Sequence, residues 1–155
     1  MTERGEAELR EIDVVYRELE SRGVYASTTS GTSMWPLFKT HRDVVVLEKP
    51  KKAPKKYDVV LYPGVAGKFL LHRIIGERGD CYLIRGDNTY RTEVVPKSEI
   101  IAVLTAFNRK GKHHTPDEKR YQRYIRIWNF VYPIRYALNL VRRLLSKIKH
   151  KILGR

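Results

Sequence analysis

Five short apolar segments, each bounded by turn-forming residues, limit what this chain can fold into more than any other feature. The segments are rich in Val, Ile, Leu and Tyr, which favour β-strands. Gly, Pro, Asn and Asp lie between them, as in tight turns. The pattern predicts a small, mainly β domain with strands at residues 43–48, 58–62, 69–75, 81–85 and 100–107.

Helical periodicity flanks these strands on both sides. The first 23 residues predict one amphipathic helix, because apolar side chains recur at spacings of three and four and Gly23 can end it. The C-terminal segment predicts two short helices, because Pro133 cannot occupy a helix interior. The expected organisation is an N-terminal helix at 1–23, a β domain at 24–109, a polar linker at 110–119 and a helical tail at 120–155.

The positive charge is concentrated at the C-terminal end. Of a formal net charge of +14, the stretch from Arg109 to Arg155 holds 14 Lys and Arg against only Asp117 and Glu118. Such a tail favours an anionic partner, which is membrane lipid, nucleic acid or an acidic protein. An apolar stripe flanked by cations and aromatics is typical of a helix in a membrane surface. The alternative is that the stripe packs on the protein itself.

Cysteine content and hydropathy restrict the compartment. Cys81 is the only cysteine, so an intramolecular disulfide and a cysteine-based metal site are both excluded. No stretch approaches 18 apolar residues, and the charged N-terminus lacks the apolar core of a secretory signal. We expect a cytoplasmic protein without metal or other cofactor, peripheral at the inner face of the membrane if the tail docks there.

Four short motifs occur in one order between residues 31 and 88. A serine in a Gly/Thr turn is usually a turn residue, and a histidine among aliphatic residues is usually a packed side chain, so each motif alone is weak. Four in register are specific. The motifs are residues 31–38 (GTSMWPLF), 58–62 (DVVLY), 71–75 (LHRII) and 85–88 (RGDN).

Together these motifs resemble those of the signal peptidase and LexA-like clan of serine proteases, in the branch that uses histidine as base. Residues 33–36, 58–60, 72–74 and 86–88 match its Ser-Met-x-Pro, Asp-Val-Val, His-Arg-Ile and Gly-Asp-Asn motifs. The resemblance covers residues 24–107. It implies a coiled, β-barrel-like catalytic domain with a groove that binds an extended peptide.

The resemblance implies specific roles for the residues of the first and third motifs. Ser33 is the expected nucleophile and His72 the expected base, with Met34, Trp35 and Pro36 at the substrate groove. A neutral imidazole can remove the proton of a serine hydroxyl during attack on a carbonyl.

The turn around the expected nucleophile has a second predicted role. A turn of this kind exposes the hydroxyl, and we expect the backbone N–H groups of Thr32 and Ser33 to face the oxyanion. Many bacterial signal peptidases have a hydroxyl residue two positions before the nucleophile. Here that position is Gly31, which leaves the backbone donors or Thr32.

Two acids are candidates for the group that fixes the tautomer of His72. The resemblance favours Glu93 as its partner, and Asp87 as a supporting group opposite Arg73 or Arg85. The alternatives are an ordinary Asx turn for Asp87 and a solvated surface charge for Glu93.

Three functions follow as hypotheses. The first is a serine endopeptidase that cleaves a peptide or leader segment; because the N-terminal membrane helices of signal peptidases are missing, we expect a peptide-maturation role at the cytoplasmic side. The second is a non-catalytic module that binds anionic membrane or nucleic acid through the basic tail, with nucleic acid the less favoured partner. The third is a self-cleaving LexA-type regulator, which His72 in place of lysine and the brevity of residues 1–23 argue against.

Overall fold

The computed structural model describes residues 3–64 and 68–152 of the chain. Two compact units divide the chain after Glu118. The first unit holds one helix and eight strands, and the second holds two helices. In chain order the elements are α1 Glu3–Ser21, β1 Val24–Thr28, β2 Val44–Glu48, β3 Val59–Pro63, β4 Phe69–Arg78, β5 Cys81–Arg85, β6 Glu93–Pro96, a 3₁₀ turn Lys97–Glu99, β7 Ala102–Arg109, β8 Lys112–His114, α2 Lys119–Phe130 and α3 Tyr132–Ile152.

The predicted mainly β fold is confirmed, and each of the five predicted strands is present. Three further strands, β1, β6 and β8, were not predicted: β6 and β8 have only four and three residues, and β1 (VYAST) ends in two polar residues. Residues 110–119, predicted as a linker, contain β8, which pairs with the end of β7. The predicted linker is therefore wrong over this hairpin.

All strand pairs are antiparallel and belong to one open, curled half-barrel. Seven strands lie in the order β1-β2-β7-β3-β4-β5-β6, and β8 adds to β7. Bulges interrupt the β2–β7 pair between Val46 and Leu47 and the β4–β5 pair between Ile74 and Gly76. Bulges of this kind bend a strand and increase its twist, which curls the sheet.

Strand β4 has a free edge over its first residues. It pairs with β3 from Phe69 to Arg73, whereas its pairing with β5 begins only at Arg73. Strand β1 lies at the end of the strand order and pairs with β2 alone among the strands that the structure describes. Among the described strands, the outer edge of β1 and the first residues of β4 therefore have an unpaired edge.

A hydrophobic cluster covers one face of β3, β4, β5 and β6. Val60 faces His72 in the β3–β4 register, so side-chain alternation gives the histidine the same face as this cluster. Burying each large apolar side chain contributes roughly 1.5–3 kcal/mol to folding. The buried members are Val60, Tyr62, Ile74, Tyr82, Ile84 and Val95.

The second unit consists of α2 and α3, which are separated near Pro133 as predicted. Pro133 is the second residue of α3, where its missing N–H removes no intrahelical hydrogen bond. The second helix, predicted to be short, is 21 residues long. Within residues 3–64 and 68–152, no helix combines the length and the apolarity needed to cross a bilayer.

Candidate active site

Ser33 lies in the turn that connects β1 to β2. The turn begins at Gly31, whose φ of +79° is one that glycine adopts without strain. The Thr40 hydroxyl donates a hydrogen bond to the Gly31 carbonyl. Ser33 is half-buried. The exposure of its hydroxyl, expected from the Gly-Thr turn, stays a prediction.

Asp43 anchors the other end of this connection. Its carboxylate accepts hydrogen bonds from the Lys39 amide at 2.8 Å and from the Arg42 guanidinium at 2.7 Å. Burial by itself would raise the pKa of Asp43, but these hydrogen bonds outweigh it and lower the pKa. The ionised carboxylate therefore holds the Ser33 connection against the start of β2.

His72 lies on β4 and is almost fully buried, with a 5% exposed fraction. Its Nδ1 atom is 2.9 Å from the Tyr62 hydroxyl. Its Nε2 atom is buried and has no hydrogen-bond partner in the part of the chain that the structure describes. A buried polar atom without a partner costs about 1–3 kcal/mol, so an unpaired Nε2 calls for an explanation.

Gly86 packs against both Ser33 and His72. A Cβ atom at Gly86 would lie 2.7 Å from the Ser33 carbonyl oxygen and 3.1 Å from His72 Cδ2. Those two atoms therefore cannot be further apart than the sum of the two distances. The predicted pair shares one neighbourhood, and only glycine leaves room there. Within the described residues, no hydrogen bond joins the Ser33 hydroxyl to Nε2.

The turn that follows β5 holds the serine in place. The Asn88 amide donates a hydrogen bond of 2.7 Å to the Ser33 carbonyl. The Asn88 side-chain amide donates to the Thr32 carbonyl at 3.2 Å. Asn88 was not predicted as a site residue, although it completes the Gly-Asp-Asn motif. Both contacts fix the Thr32–Ser33 backbone against the turn that follows β5.

Asp87 binds Arg73, which neighbours His72 on β4. The two form a bidentate pair with both distances at 2.7 Å, and both side chains are nearly inaccessible to solvent. Arg73 also donates to the Tyr57 carbonyl at 2.9 Å. Arg73 is one of the two arginines predicted to lie opposite Asp87, and the role of Asp87 as a supporting group stays a prediction. The ion pair fastens the Gly86–Asn88 turn to β4.

Glu93 approaches His72 through Tyr62. The Tyr62 hydroxyl donates a 2.8 Å hydrogen bond to Glu93 Oε2, while Glu93 Oε1 is 3.6 Å from His72 Nδ1. Glu93 therefore belongs to the site, with a tyrosine between it and the imidazole. Tyr62 was treated only as a strand residue, and its position in the DVVLY motif beside the base strand was the available signal.

Burial dominates the electrostatics of this cluster. It lowers the pKa of His72, while the carboxylates of Glu93 and Asp87 act in the opposite direction. Burial also raises the pKa of Tyr62, and its hydrogen bond to Glu93 adds to that rise. At neutral pH the imidazole is therefore uncharged and the phenol keeps its proton. A neutral imidazole is the form that a general base requires.

A cleft of about 160 Å³ opens beside Ser33. Ser33 and Met34 line it, as expected for the substrate groove. Trp35 and Pro36 are not among the residues that line this cleft, and Trp35 is 53% exposed, so their role at a substrate groove stays a prediction. The walls come from α1, β1 and the residues after it, β2, β3 and the first part of β4: Val15, Tyr25, Ser27, Thr28, Thr29, Ser30, Gly31, Phe38, Val45, Leu47, Leu61, Phe69, Leu70 and Leu71.

Backbone donors are available at the serine. The Ser33 amide donates no hydrogen bond to the residues that the structure describes. It can therefore donate to an oxyanion, the role predicted for Thr32 and Ser33. Among the same residues, no group of three or more His, Cys, Asp or Glu side chains is arranged to hold a metal ion.

Two comparisons with known proteins give no match. No model of a protein family matches the chain. No curated protein matches it either. The function proposed below rests on the geometry of the residues around Gly86 and on the four motifs.

Proposed function

We propose that the chain is a serine endopeptidase of the signal-peptidase type, with Ser33 as nucleophile and His72 as general base. The observation that carries this proposal is the buried, unpaired Nε2 atom of a neutral imidazole next to the Ser33 turn. Such an atom destabilises the fold, and a function would explain why it is kept. Accepting the proton of a neighbouring hydroxyl is a function that requires an unpaired lone pair.

The reaction follows from these two side chains. Ser33 Oγ attacks the carbonyl carbon of the scissile peptide bond while its proton moves to His72 Nε2. The oxyanion accepts hydrogen bonds from the Ser33 amide and from its neighbour Thr32. The imidazolium then gives its proton to the leaving amine, which leaves an ester on Ser33. A water molecule, deprotonated by His72, hydrolyses the ester and restores the hydroxyl.

An extended peptide is the substrate that suits the cleft. The free edge of β4 over residues 69–71 and the outer edge of β1 both border it, and each can pair with an added strand. Backbone hydrogen bonds would hold the peptide, and alternate side chains would enter the apolar cleft. Ser33 lies at the same cleft, so a peptide bond held there reaches its hydroxyl.

Mass spectrometry of peptide cleavage tests the proposal. A library of extended synthetic peptides is incubated with wild type, with Ser33→Ala and with Ser98→Ala, which changes an exposed serine in the 3₁₀ turn. We expect Ser33→Ala to lower the rate at least about 10³-fold and Ser98→Ala to leave it unchanged. A fluorophosphonate probe should label Ser33 alone. Equal cleavage by wild type and Ser33→Ala would overturn the proposal.

We also propose that the tail docks this enzyme on an anionic membrane surface. Five apolar side chains of α3 are exposed at alternating spacings of four and three, which aligns them on one face. The sequence of α3 has no Asp or Glu, and its charged side chains are cations. Apolar burial combined with attraction to anionic lipid is how such helices bind bilayers. The exposed row is Ile134, Leu138, Val141, Leu145 and Ile148.

Sedimentation with lipid vesicles tests the docking proposal. We expect wild type to bind vesicles of phosphatidylcholine with phosphatidylglycerol, and to bind phosphatidylcholine alone far more weakly. Leu138→Asp together with Leu145→Asp should abolish binding, whereas Asn139→Asp with Ser146→Asp adds the same charge outside the apolar row. If duplex DNA binds with a steep salt dependence and the vesicles do not bind, the tail is a nucleic-acid site and the docking proposal is wrong.

A further inference from the structure

The hydroxyl group of Tyr62 occupies the place that a carboxylate holds in a Ser-His-Asp triad. It is 2.9 Å from His72 Nδ1 and 2.8 Å from Glu93 Oε2. The nearest direct approach between Glu93 and the imidazole is 3.6 Å, which is too long for a hydrogen bond. The phenol is therefore the group that contacts the imidazole.

The direction of these hydrogen bonds follows from donor counting. A phenol has one hydrogen, and a carboxylate only accepts, so Tyr62 donates to Glu93. The lone pair of the same oxygen then accepts from His72 Nδ1–H. The raised pKa of Tyr62 keeps this hydrogen in place at neutral pH. One tautomer of His72 results, with its hydrogen on Nδ1 and a lone pair on Nε2, the atom that lacks a partner.

We propose that Tyr62 is a positioning residue that holds the base, so that the site is a chain of Ser33, His72, Tyr62 and Glu93. This inference rests on the proposed function, because it assigns the orienting group of the same site. Tyr62 passes no proton; its hydroxyl fixes the ring and carries the influence of the Glu93 carboxylate to the imidazole. When His72 gains the serine proton, the imidazolium faces a neutral phenol rather than an anion.

The other charges around the imidazole do not take this role. Asp87, from the turn after β5, accepts hydrogen bonds from Nε and Nη2 of Arg73, which neighbours His72 on β4. Glu93 on β6 and Tyr62 on β3 are the remaining ionisable groups that act on the ring. Removing the Tyr62 hydroxyl takes away the acceptor of Nδ1–H, so the imidazole can adopt either tautomer.

Nitrogen NMR of the histidine ring tests the tautomer without requiring cleavage. At a pH above its pKa, ¹⁵N-labelled wild type should show His72 with Nδ1 protonated and Nε2 unprotonated, the signal being assigned by its loss in His72→Asn. Tyr62→Phe keeps the ring that fills the core, and we expect it to show both tautomers. Tyr82→Phe is the matched control, because Tyr82 is a buried member of the same cluster that donates to the Pro54 carbonyl instead. An unchanged tautomer in Tyr62→Phe would overturn the inference.

Kinetics on a cleaved peptide give the second readout. We expect Tyr62→Phe to lower kcat at least about tenfold and to leave KM within about twofold, because the hydroxyl acts on the base and not on substrate. Glu93→Gln should lower kcat in wild type and have less than about a twofold further effect in Tyr62→Phe, because its influence passes through the hydroxyl.

The two readouts separate the two proposals. If Glu93→Gln lowers kcat equally in both backgrounds, Glu93 acts directly on His72 and the relay through Tyr62 is wrong. If wild type cleaves no peptide while the tautomer responds to Tyr62→Phe as expected, the arrangement of hydrogen bonds stands and the protease proposal fails.

Discussion

Charged side chains serve opposite purposes in the β domain and in the tail. Near Ser33 and His72 they are buried and paired, as in the contact between Arg73 and Asp87. In α3 the cations Arg142 and Arg143 are exposed, and the helix has no acid. A buried pair acts through its geometry, whereas a set of exposed cations acts through its total charge. Substitutions of the buried charges in the domain should therefore have large, position-specific effects, and substitutions of the exposed cations in the tail small, additive ones.

The buried ion pair gives the largest expected effect. Asp87→Asn removes the carboxylate charge that is paired with the buried Arg73 guanidinium, and we expect it to lower the free energy of unfolding by about 3–5 kcal/mol. Glu77→Gln is the matched control, because its pair with Lys97 has the same 2.7 Å distance but is exposed. It should change stability by at most about 1 kcal/mol. Urea unfolding measures both, and similar losses would contradict the contrast between buried and exposed charges.

Gly86→Ala tests the geometry at the site itself. The added Cβ would lie 2.7 Å from a backbone atom of Ser33, so the serine turn has to move away from His72. A displacement of about 1 Å at a reacting group can lower kcat/KM about 100-fold, and we expect a loss of that order. Gly76→Ala is the control, since its Cβ would lie 3.6 Å from a Leu83 methyl group. Equal activities of the two variants would mean that the contact at Gly86 does not position the nucleophile.

The pH profile tests the buried base. Burial lowers the pKa of His72, so kcat/KM at pH 6 should remain a larger share of its value at pH 8 than an unperturbed histidine would allow. An unperturbed histidine would keep only about a quarter. Glu93→Gln should move the fall in activity to still lower pH, because Glu93 raises this pKa. A profile that is flat down to pH 5 would count against His72 as base.

The same pKa shift links folding to pH. The unfolded chain binds a proton at His72 near pH 6.5, whereas the folded protein binds it only at lower pH. The contribution of His72 to stability is therefore lost progressively as pH falls from about 6.5 to its folded pKa. Urea unfolding of wild type and His72→Gln across this range measures the difference.

The strands of this fold were predictable where they are apolar and long enough. The segments that became β2, β3, β4, β5 and β7 have Val, Ile and Leu at consecutive or alternate positions. Strand β8 (KHH) has no such signal, and it forms because it can pair with the end of β7. Pairing partners are set by tertiary structure, so sequence pattern alone does not identify strands of this kind.

The site was predictable from its motifs but not from its contacts. Ser33 and His72 follow from the resemblance, and both lie around Gly86. Tyr62 is an ordinary strand residue by composition, and only the antiparallel pairing of β3 with β4 brings its hydroxyl to the imidazole. The sequence also did not decide which arginine pairs with Asp87. Arg73 and Arg85 both precede it, and only the directions of their side chains on the strands distinguish them.

The smallest expected effect lies in the tail and completes the contrast. Arg142→Gln with Arg143→Gln removes two exposed cations from α3, and each should weaken binding to vesicles containing phosphatidylglycerol by about 1 kcal/mol, which is about fivefold. Arg142→Lys with Arg143→Lys keeps the charge and should bind like wild type, because a diffuse attraction depends on charge and not on guanidinium geometry. Weak binding by the lysine variant would instead indicate a specific headgroup site. Cleavage of a soluble peptide should be the same in all three proteins, since the tail cations act on the surface and not on the reacting bond.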